Sequence, residues 1–264
     1  SHPKYHTDSH PVEGEVDAFR RIIQMSDETK QPVMIFHVSS EQGLNEIRSG
    51  KSRGIKFFAE TCTQYLTLNS HLLDQEQIND GAKWICSPPI RSINDSEALW
   101  KGLEDSTLDL VTSDHAPYSF DNKGKFFKDN SPNFKEIPNG IPGLHWRLPI
   151  LLDRVLNKQC NLDISDFVRM TSTMPAKVYG LYPHKGEIKI GSDADIVIWD
   201  TDLNITLSDD MVVDGSKYNP YSGMKVSCWP NEVILRGTTI VKDNIIKTEA
   251  GTGQFLSTKL SEYI

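Results

Sequence analysis

Cysteine is scarce. Four residues in 264, Cys62, Cys86, Cys160 and Cys228, stand far apart and form no Cys-x-x-Cys pair. That spacing excludes a zinc ribbon and a dense disulfide framework, and it fits a reducing compartment such as the cytosol. No apolar run approaches the roughly 20 residues of a membrane helix, and the opening Ser1-His2-Pro3-Lys4-Tyr5-His6 has no hydrophobic stretch of a signal peptide. A basic block is missing as well: 28 Lys and Arg against 36 Asp and Glu leave a formal charge of −8. This argues against nucleic acid or an anionic membrane as the main partner. The chain also lacks an initiator methionine, and its loop-like His/Pro/Ser start predicts a piece of something longer.

What is present suffices for a core. With 38% hydrophobic residues, the length holds one large α/β domain, or one domain plus a smaller module. Two stretches organise it, Val33-Met34-Ile35-Phe36-His37-Val38-Ser39-Ser40 and Leu108-Asp109-Leu110-Val111-Thr112-Ser113-Asp114-His115. In each, a run apolar on both faces stops at a side chain able to bind metal or move a proton, His37 in one and Asp114 in the other. Such runs predict buried parallel strands. Ser39 and Ser40 are good N-caps for a helix carrying Leu44 and Ile47, which Gly50 would close. A second strand over 55–60 follows at once. That is the spacing of a βαβ unit, whose functional residues lie at the carboxyl ends of its strands, where His37, Glu60 and Asp114 are expected.

The remaining segments frame these strands. His2, His6 and His10 fall four apart, as ligands on one helix face would, but Pro3 and Pro11 predict a loop over 1–12. A helix is predicted over 13–25. After Glu60 a long irregular connection runs to Gly81 and reads as a functional loop. Pro88 and Pro89 stop an extended piece and fix the backbone around Ser87. A helix over 95–103 then feeds the Asp114 strand. Residues 118–136 show no period and predict a mobile excursion over the strand ends, closed by the turn signals of Ile137-Pro138-Asn139-Gly140-Ile141-Pro142-Gly143. Helices are predicted over 144–156 and 164–170, with a last turn across 175–179. From Gly186 the grammar changes: 187–200 reads strand, turn, strand, and 232–241 reads as a hairpin bending near Arg236-Gly237. A boundary is therefore drawn near 185. Gly251–Gln254 reads as a tail, with neither the Lys-Ser/Thr nor the helix of a phosphate loop.

Taken singly, these residues have plainer readings. A histidine ending an apolar strand is more often a hydrogen-bonded core residue than a ligand, and Asp114 alone could cap the next helix. His115 points to the other side of its strand and reads as structural or as a support behind the ligand positions. Glu60 reads as an N-cap or strand-end salt bridge, Cys62 and Cys86 as buried filler, and Arg91 and Arg236 as salt-bridge formers. Ser87 has no base partner in its phrase, so it makes a poor nucleophile.

Six phrases in one order bring in a family. His37-Val38-Ser39-Ser40, Glu60-Thr61-Cys62-Thr63-Gln64-Tyr65-Leu66, Cys86-Ser87-Pro88-Pro89-Ile90-Arg91, Ser113-Asp114-His115-Ala116-Pro117, Ile137-Pro138-Asn139-Gly140 and Gly191-Ser192-Asp193-Ala194-Asp195-Ile196 resemble the dihydropyrimidinase and hydantoinase branch of the cyclic amidohydrolases. The resemblance covers essentially the whole chain, and its Ile-Pro-Asn-Gly phrase favours this branch over allantoinases and dihydroorotases. It implies an α/β protein: the C-terminal part of a metal-dependent (β/α)8 barrel, about strands 6 to 8, over 1–185, then an antiparallel β-sandwich module and tail over 186–264. It also implies hydrolysis of the amide bond of a small cyclic ureide, a dihydropyrimidine or hydantoin, with two divalent metal ions, usually zinc. By motif match, His37 is expected as the last of four histidine ligands. Asp114 is expected as the aspartate that binds one metal and takes a proton from the attacking hydroxide. Ser87 and Asn139 match the positions that hold the ring's amides and carbonyls, largely through backbone groups. A homotetramer and a cytoplasmic location carry over from the same family.

The departures matter as much. The chain has no His-x-His pair and no counterpart of the family's carboxylated bridging lysine or third histidine, so it keeps two of six expected ligands. Half a barrel leaves strand edges unpaired and an open inner face, and the isolated chain is expected to be inactive. The same fold family includes non-catalytic brain scaffold proteins, which are the alternative; retention of both His37 and Asp114 favours the enzyme.

Overall fold

The computed structural model describes residues 2–130 and 133–261. Packing divides them into two units: the chain up to Arg147 together with Leu207–Met224, and Leu148–Thr206 together with the chain from Lys225 onward. The antiparallel strands of the chain begin at Ile196. The helices of 148–178 pack in the same unit as those strands, so the packing division falls earlier in the chain.

In the first unit, the start departs from the expected loop. Tyr5–Asp8 forms a short helix, α1, because Pro3 precedes its first turn and Pro11 stands just before α2 (Val12–Thr29), positions where a missing N–H costs nothing. His6 is buried, with its Nε2 hydrogen-bonded to the Cys86 carbonyl at 2.8 Å. Among the described residues no three His, Cys, Asp or Glu converge on a metal position, so the four-residue histidine spacing serves packing.

Strand β1 (Val33–Ile35) leads into α3 (Glu41–Ser52), whose N-cap Ser40 accepts a hydrogen bond from the Gly43 N–H at 3.0 Å. Gly50 lies inside α3 and does not end it. A Cβ there would come within 2.8 Å of the Phe57 ring and 3.0 Å of Ile23 Cγ2, so glycine lets α3 approach its neighbours. Strand β2 (Phe57–Cys62) is followed by α4 (Thr63–Thr67), two 3-10 turns and α5 (Ile78–Gly81). The connection after Glu60 is thus a series of short helical turns. A capping box between Ser92 and Asp95 opens α6 (Ile93–Glu104), which feeds β3 (Leu110–Thr112).

The three strands are parallel in the order β1-β2-β3, with Ile35 opposite Ala59 and Thr112 opposite Cys62. Helices α2, α3 and α6 bury Ile23, Leu44, Ile47, Leu99 and Leu103, each side chain contributing roughly 1.5–3 kcal/mol of burial. Residues 118–130 and 133–136 carry little regular structure but are anchored: Phe134 packs with Leu73, Ala82, Ile85 and Ile137, Phe120 and Phe126 lie against that cluster, and Lys125 is fully buried.

The second unit holds α7 (Arg147–Leu156, its first residue in the other unit), α8 (Ile164–Val168), a π-helical turn and α9 (Met174–Val178). Its strands are β4 (Ile196–Asp200), β5 (Ile205–Thr206), β6 (Lys225–Val226), β7 (Trp229–Leu235), β8 (Thr238–Lys242) and β9 (Ile245–Ile246). They form an antiparallel sheet in the order β4-β7-β8-β9 and a separate β5-β6 pair. The β7–β8 hairpin bends at Arg236 and Gly237, with φ 48° and 78°, a two-residue turn that matches the strand twist. The strand predicted over 187–190 does not form. Ile188 and Ile190 are 84% and 102% exposed, and Lys185 pairs with Asp193 and Asp195 to hold this stretch in turns. Among the described residues no helix is long and apolar enough to cross a membrane.

Candidate functional site

His37 and Asp114 each lie two residues beyond the end of a parallel strand, β1 and β3, on either side of β2 and at the same carboxyl end. Both adopt left-handed backbone, with φ 45° and 43°. Non-glycine residues enter this region at a cost of order 1–3 kcal/mol, Asp and His more readily than most. Two such kinks at equivalent strand ends mark a built site.

The kink at His37 is locked from behind. The Ser39 N–H and hydroxyl both donate to the Glu15 carboxylate, at 2.7 and 2.8 Å. Arg91 lies 3.7 Å from the same carboxylate, reaches the Ser39 hydroxyl at 3.3 Å, and donates to the His10 carbonyl at 2.6 Å. This pair is buried and multiply hydrogen-bonded, which fixes geometry more than it adds stability. Arg91 is therefore the salt-bridge former its sequence suggested.

Glu60 departs from its reading as a cap or strand-end salt bridge. It sits inside β2, buried, while the capping position of α4 belongs to Cys62. Burial pushes its carboxyl up to about 7, with Thr112, the His37 backbone and Arg147 opposing the rise and the Asp114 charge adding to it, and its Oε2 is buried without a hydrogen-bond partner. One buried carboxyl in the central strand thus feels the charge of Asp114. Cys62 and Cys86 are buried filler as expected, their thiols pushed up by burial.

His37 and Ser87 line one open cleft of about 630 Å³ with His10, Phe19, Pro88 and Arg91. Asn139 and Asp114 are not in that lining. The Asn139 loop is nonetheless strapped to both neighbouring phrases: the Gly140 N–H donates to the Ile85 carbonyl and the Ala116 N–H to the Ile141 carbonyl, each at 3.0 Å. His115 serves this strap, its Nδ1 accepting from the Gly143 and Leu144 N–H groups at 3.1 and 3.3 Å. Ser87, Asp114 and Asn139 are exposed and His37 is half-buried.

Gly140 is a tight point of this loop. Its φ is 143°, and a Cβ would fall 2.5 Å from Ala116 Cβ. Gly140→Ala is expected to destabilise the chain by about 2–4 kcal/mol through combined strain and overlap, read as a lower urea midpoint; a midpoint unchanged from wild type would refute this account of the loop.

The Amidohydrolase family model matches residues 8–240. The chain belongs to this family. The amidohydrolase chain is 37% identical to the D-hydantoinase of Ralstonia pickettii, over 96% of its own length and 54% of that protein. It is 34% identical to the D-phenylhydantoinase of Escherichia coli O1:K1, over 97% of itself and 54% of the relative. The crystal structure of dihydropyrimidinase from Brevibacillus agri NCHU1002 superposes with a TM-score of 0.93 at 32% identity, covering 99% of this chain and 55% of the other. The chain therefore spans about half the length of the relatives it matches.

A divalent metal suits the donors this amidohydrolase presents. His37 Nδ1 is buried without a hydrogen-bond partner, and among the described residues the Asp114 carboxylate has neither hydrogen bond nor ion pair. An imidazole nitrogen and a carboxylate left open after two strands, at the same end of the sheet, fit a share of a zinc-type ligand set. The sequence had pointed to both. It had also set Glu60 at a strand end, as a cap or salt bridge, and had not shown that this carboxyl is buried inside the central strand.

Proposed function

We propose that this chain is the carboxy-terminal portion of a metal-dependent cyclic amidohydrolase that opens the ring of a small cyclic ureide, a hydantoin or a dihydropyrimidine. In this reading β1, β2 and β3 are strands 6 to 8 of a (β/α)8 barrel, and the antiparallel strands beyond residue 185 belong to a β-sandwich module. The carrying observation is the pair of left-handed strand ends at His37 and Asp114, whose donor atoms lack partners. The hydantoinase and dihydropyrimidinase relatives support the substrate class.

The residues then divide the work. His37 and Asp114 would hold metal, usually two zinc ions with the remaining ligands supplied by the other half of the protein. Bound metal supplies Lewis acidity at the scissile carbonyl and eases ionisation of water. Asp114 accepts the proton of the attacking water and delivers it to the departing ring nitrogen. Backbone groups at Ser87 and Asn139 hold the ring's amides and carbonyls. The chain by itself is inactive, and the complete protein is a cytoplasmic homotetramer.

The test uses the complete protein that contains this chain. It is expected to bind about two zinc ions per subunit, to open hydantoin or dihydrouracil, and to lose and regain activity with chelator and zinc. His37→Asn, which tolerates the same backbone, should lower the zinc content. A complete protein that is metal-free and inactive on both rings would defeat the proposal.

A further inference from the structure

Within residues 118–130 a fully buried lysine lies between the two phrases assigned to substrate. Lys125 Nζ donates to the Ile85 and Pro138 carbonyls, each at 2.8 Å, and lies 6.0 Å from the centre of the Tyr118 ring. Among the described residues no carboxylate pairs with it. Ile85 stands two residues before Ser87, and Pro138 stands immediately before Asn139. The Ile85 carbonyl also accepts the Gly140 N–H. One ammonium therefore fastens together the backbones that flank both positions.

Burying an unpaired ammonium is unfavourable, and a methionine of similar length would fill the same space without that cost. The cost makes sense where the donors set a geometry that apolar packing leaves loose. Two hydrogen bonds donated from a single nitrogen fix the separation of two carbonyls more tightly than side-chain contacts do. We infer that Lys125 is a positioning residue that sets the spacing between the Ser87 and Asn139 segments, and through it the fit of the cyclic ureide ring. The inference rests on the reading of Ser87 and Asn139 as substrate positions; Lys125 itself touches no substrate.

The experiment compares Lys125→Met with wild type in the complete zinc-loaded protein, using dihydrouracil and hydantoin. A lysine that only stabilised the fold would lower the active fraction, and with it kcat, while leaving KM unchanged. Positioning instead predicts a KM raised about tenfold or more, a kcat within about threefold of wild type, and an unaltered zinc content. An unchanged KM in a folded, zinc-loaded variant overturns the inference. Should Lys125→Met fail to fold, Lys125→Gln, which keeps two N–H donors on a shorter arm, is read the same way. Loss of the far-UV signal in both variants overturns it in favour of a purely structural lysine. Inactive wild-type protein would instead strike the proposed function, so the two failures are distinct.

Discussion

Asp114→Asn in the complete protein is expected to slow ring opening by about a thousandfold or more while leaving the fold intact. A positioned proton acceptor contributes roughly 10²- to 10⁴-fold, and in the proposed function Asp114 is also a metal ligand, so two contributions vanish together. Stability should hold for local reasons. The side chain is exposed and, among the described residues, has no partner to lose. Its φ of 43° lies in the region that asparagine accepts as readily as aspartate. The change in unfolding free energy should stay within about 0.5 kcal/mol. Asp114→Ala is the informative contrast, since it removes the carboxylate and also places alanine in left-handed backbone, so it should lose both activity and stability. Steady-state kinetics beside thermal unfolding checks both variants. An Asp114→Asn protein that keeps a tenth of wild-type turnover would remove Asp114 from the proposed chemistry.

The strand ends were legible because burial on both faces leaves an unbroken apolar run, and the run stops where the chain leaves the sheet. That logic located His37 and Asp114 without showing that both backbones turn left-handed; at His37 the kink is backed by Glu15, Ser39 and Arg91, which meet from distant parts of the chain. The burial of Glu60 and of Lys125 was missed for a related reason. A carboxylate in a strand and a lysine in an aperiodic polar segment look solvated until neighbours close over them, and those neighbours are β1 and β3 for Glu60 and the Ile85 and Pro138 segments for Lys125. The opposite error occurred at Ile188 and Ile190. Alternation predicts a strand only if another strand pairs with it, and both side chains stand exposed. Prolines also misled at Tyr5–Asp8, because a proline before the first turn is compatible with a helix.

Lys125→Met should also flatten the dependence of the chain's stability on alkaline pH. Burial holds the Lys125 ammonium down to about 7, from an ordinary 10.5, with Cys86 opposing weakly. Between these values the unfolded chain binds more protons than the folded one. Folding is therefore favoured as pH rises through the window, and stability is lost as pH falls toward 7. From pH 7 to 9.5 the step is 2.5 units at 1.36 kcal/mol each, or about 3 kcal/mol in favour of the folded wild type. The titratable groups facing the ammonium do not mimic it: burial pushes the Cys86 thiol up to about 12, and burial lowers the His6 imidazole, so both stay neutral through the window. The Tyr118 ring contributes its face. Removal of the two donated hydrogen bonds adds an offset that does not vary with pH, so the difference between wild type and Lys125→Met isolates the titration. Urea unfolding of both chains at several pH values should show that difference growing steadily toward pH 9.5. A constant difference would mean that Lys125 keeps its proton when folded, held by the Ile85 and Pro138 carbonyls strongly enough to offset its burial.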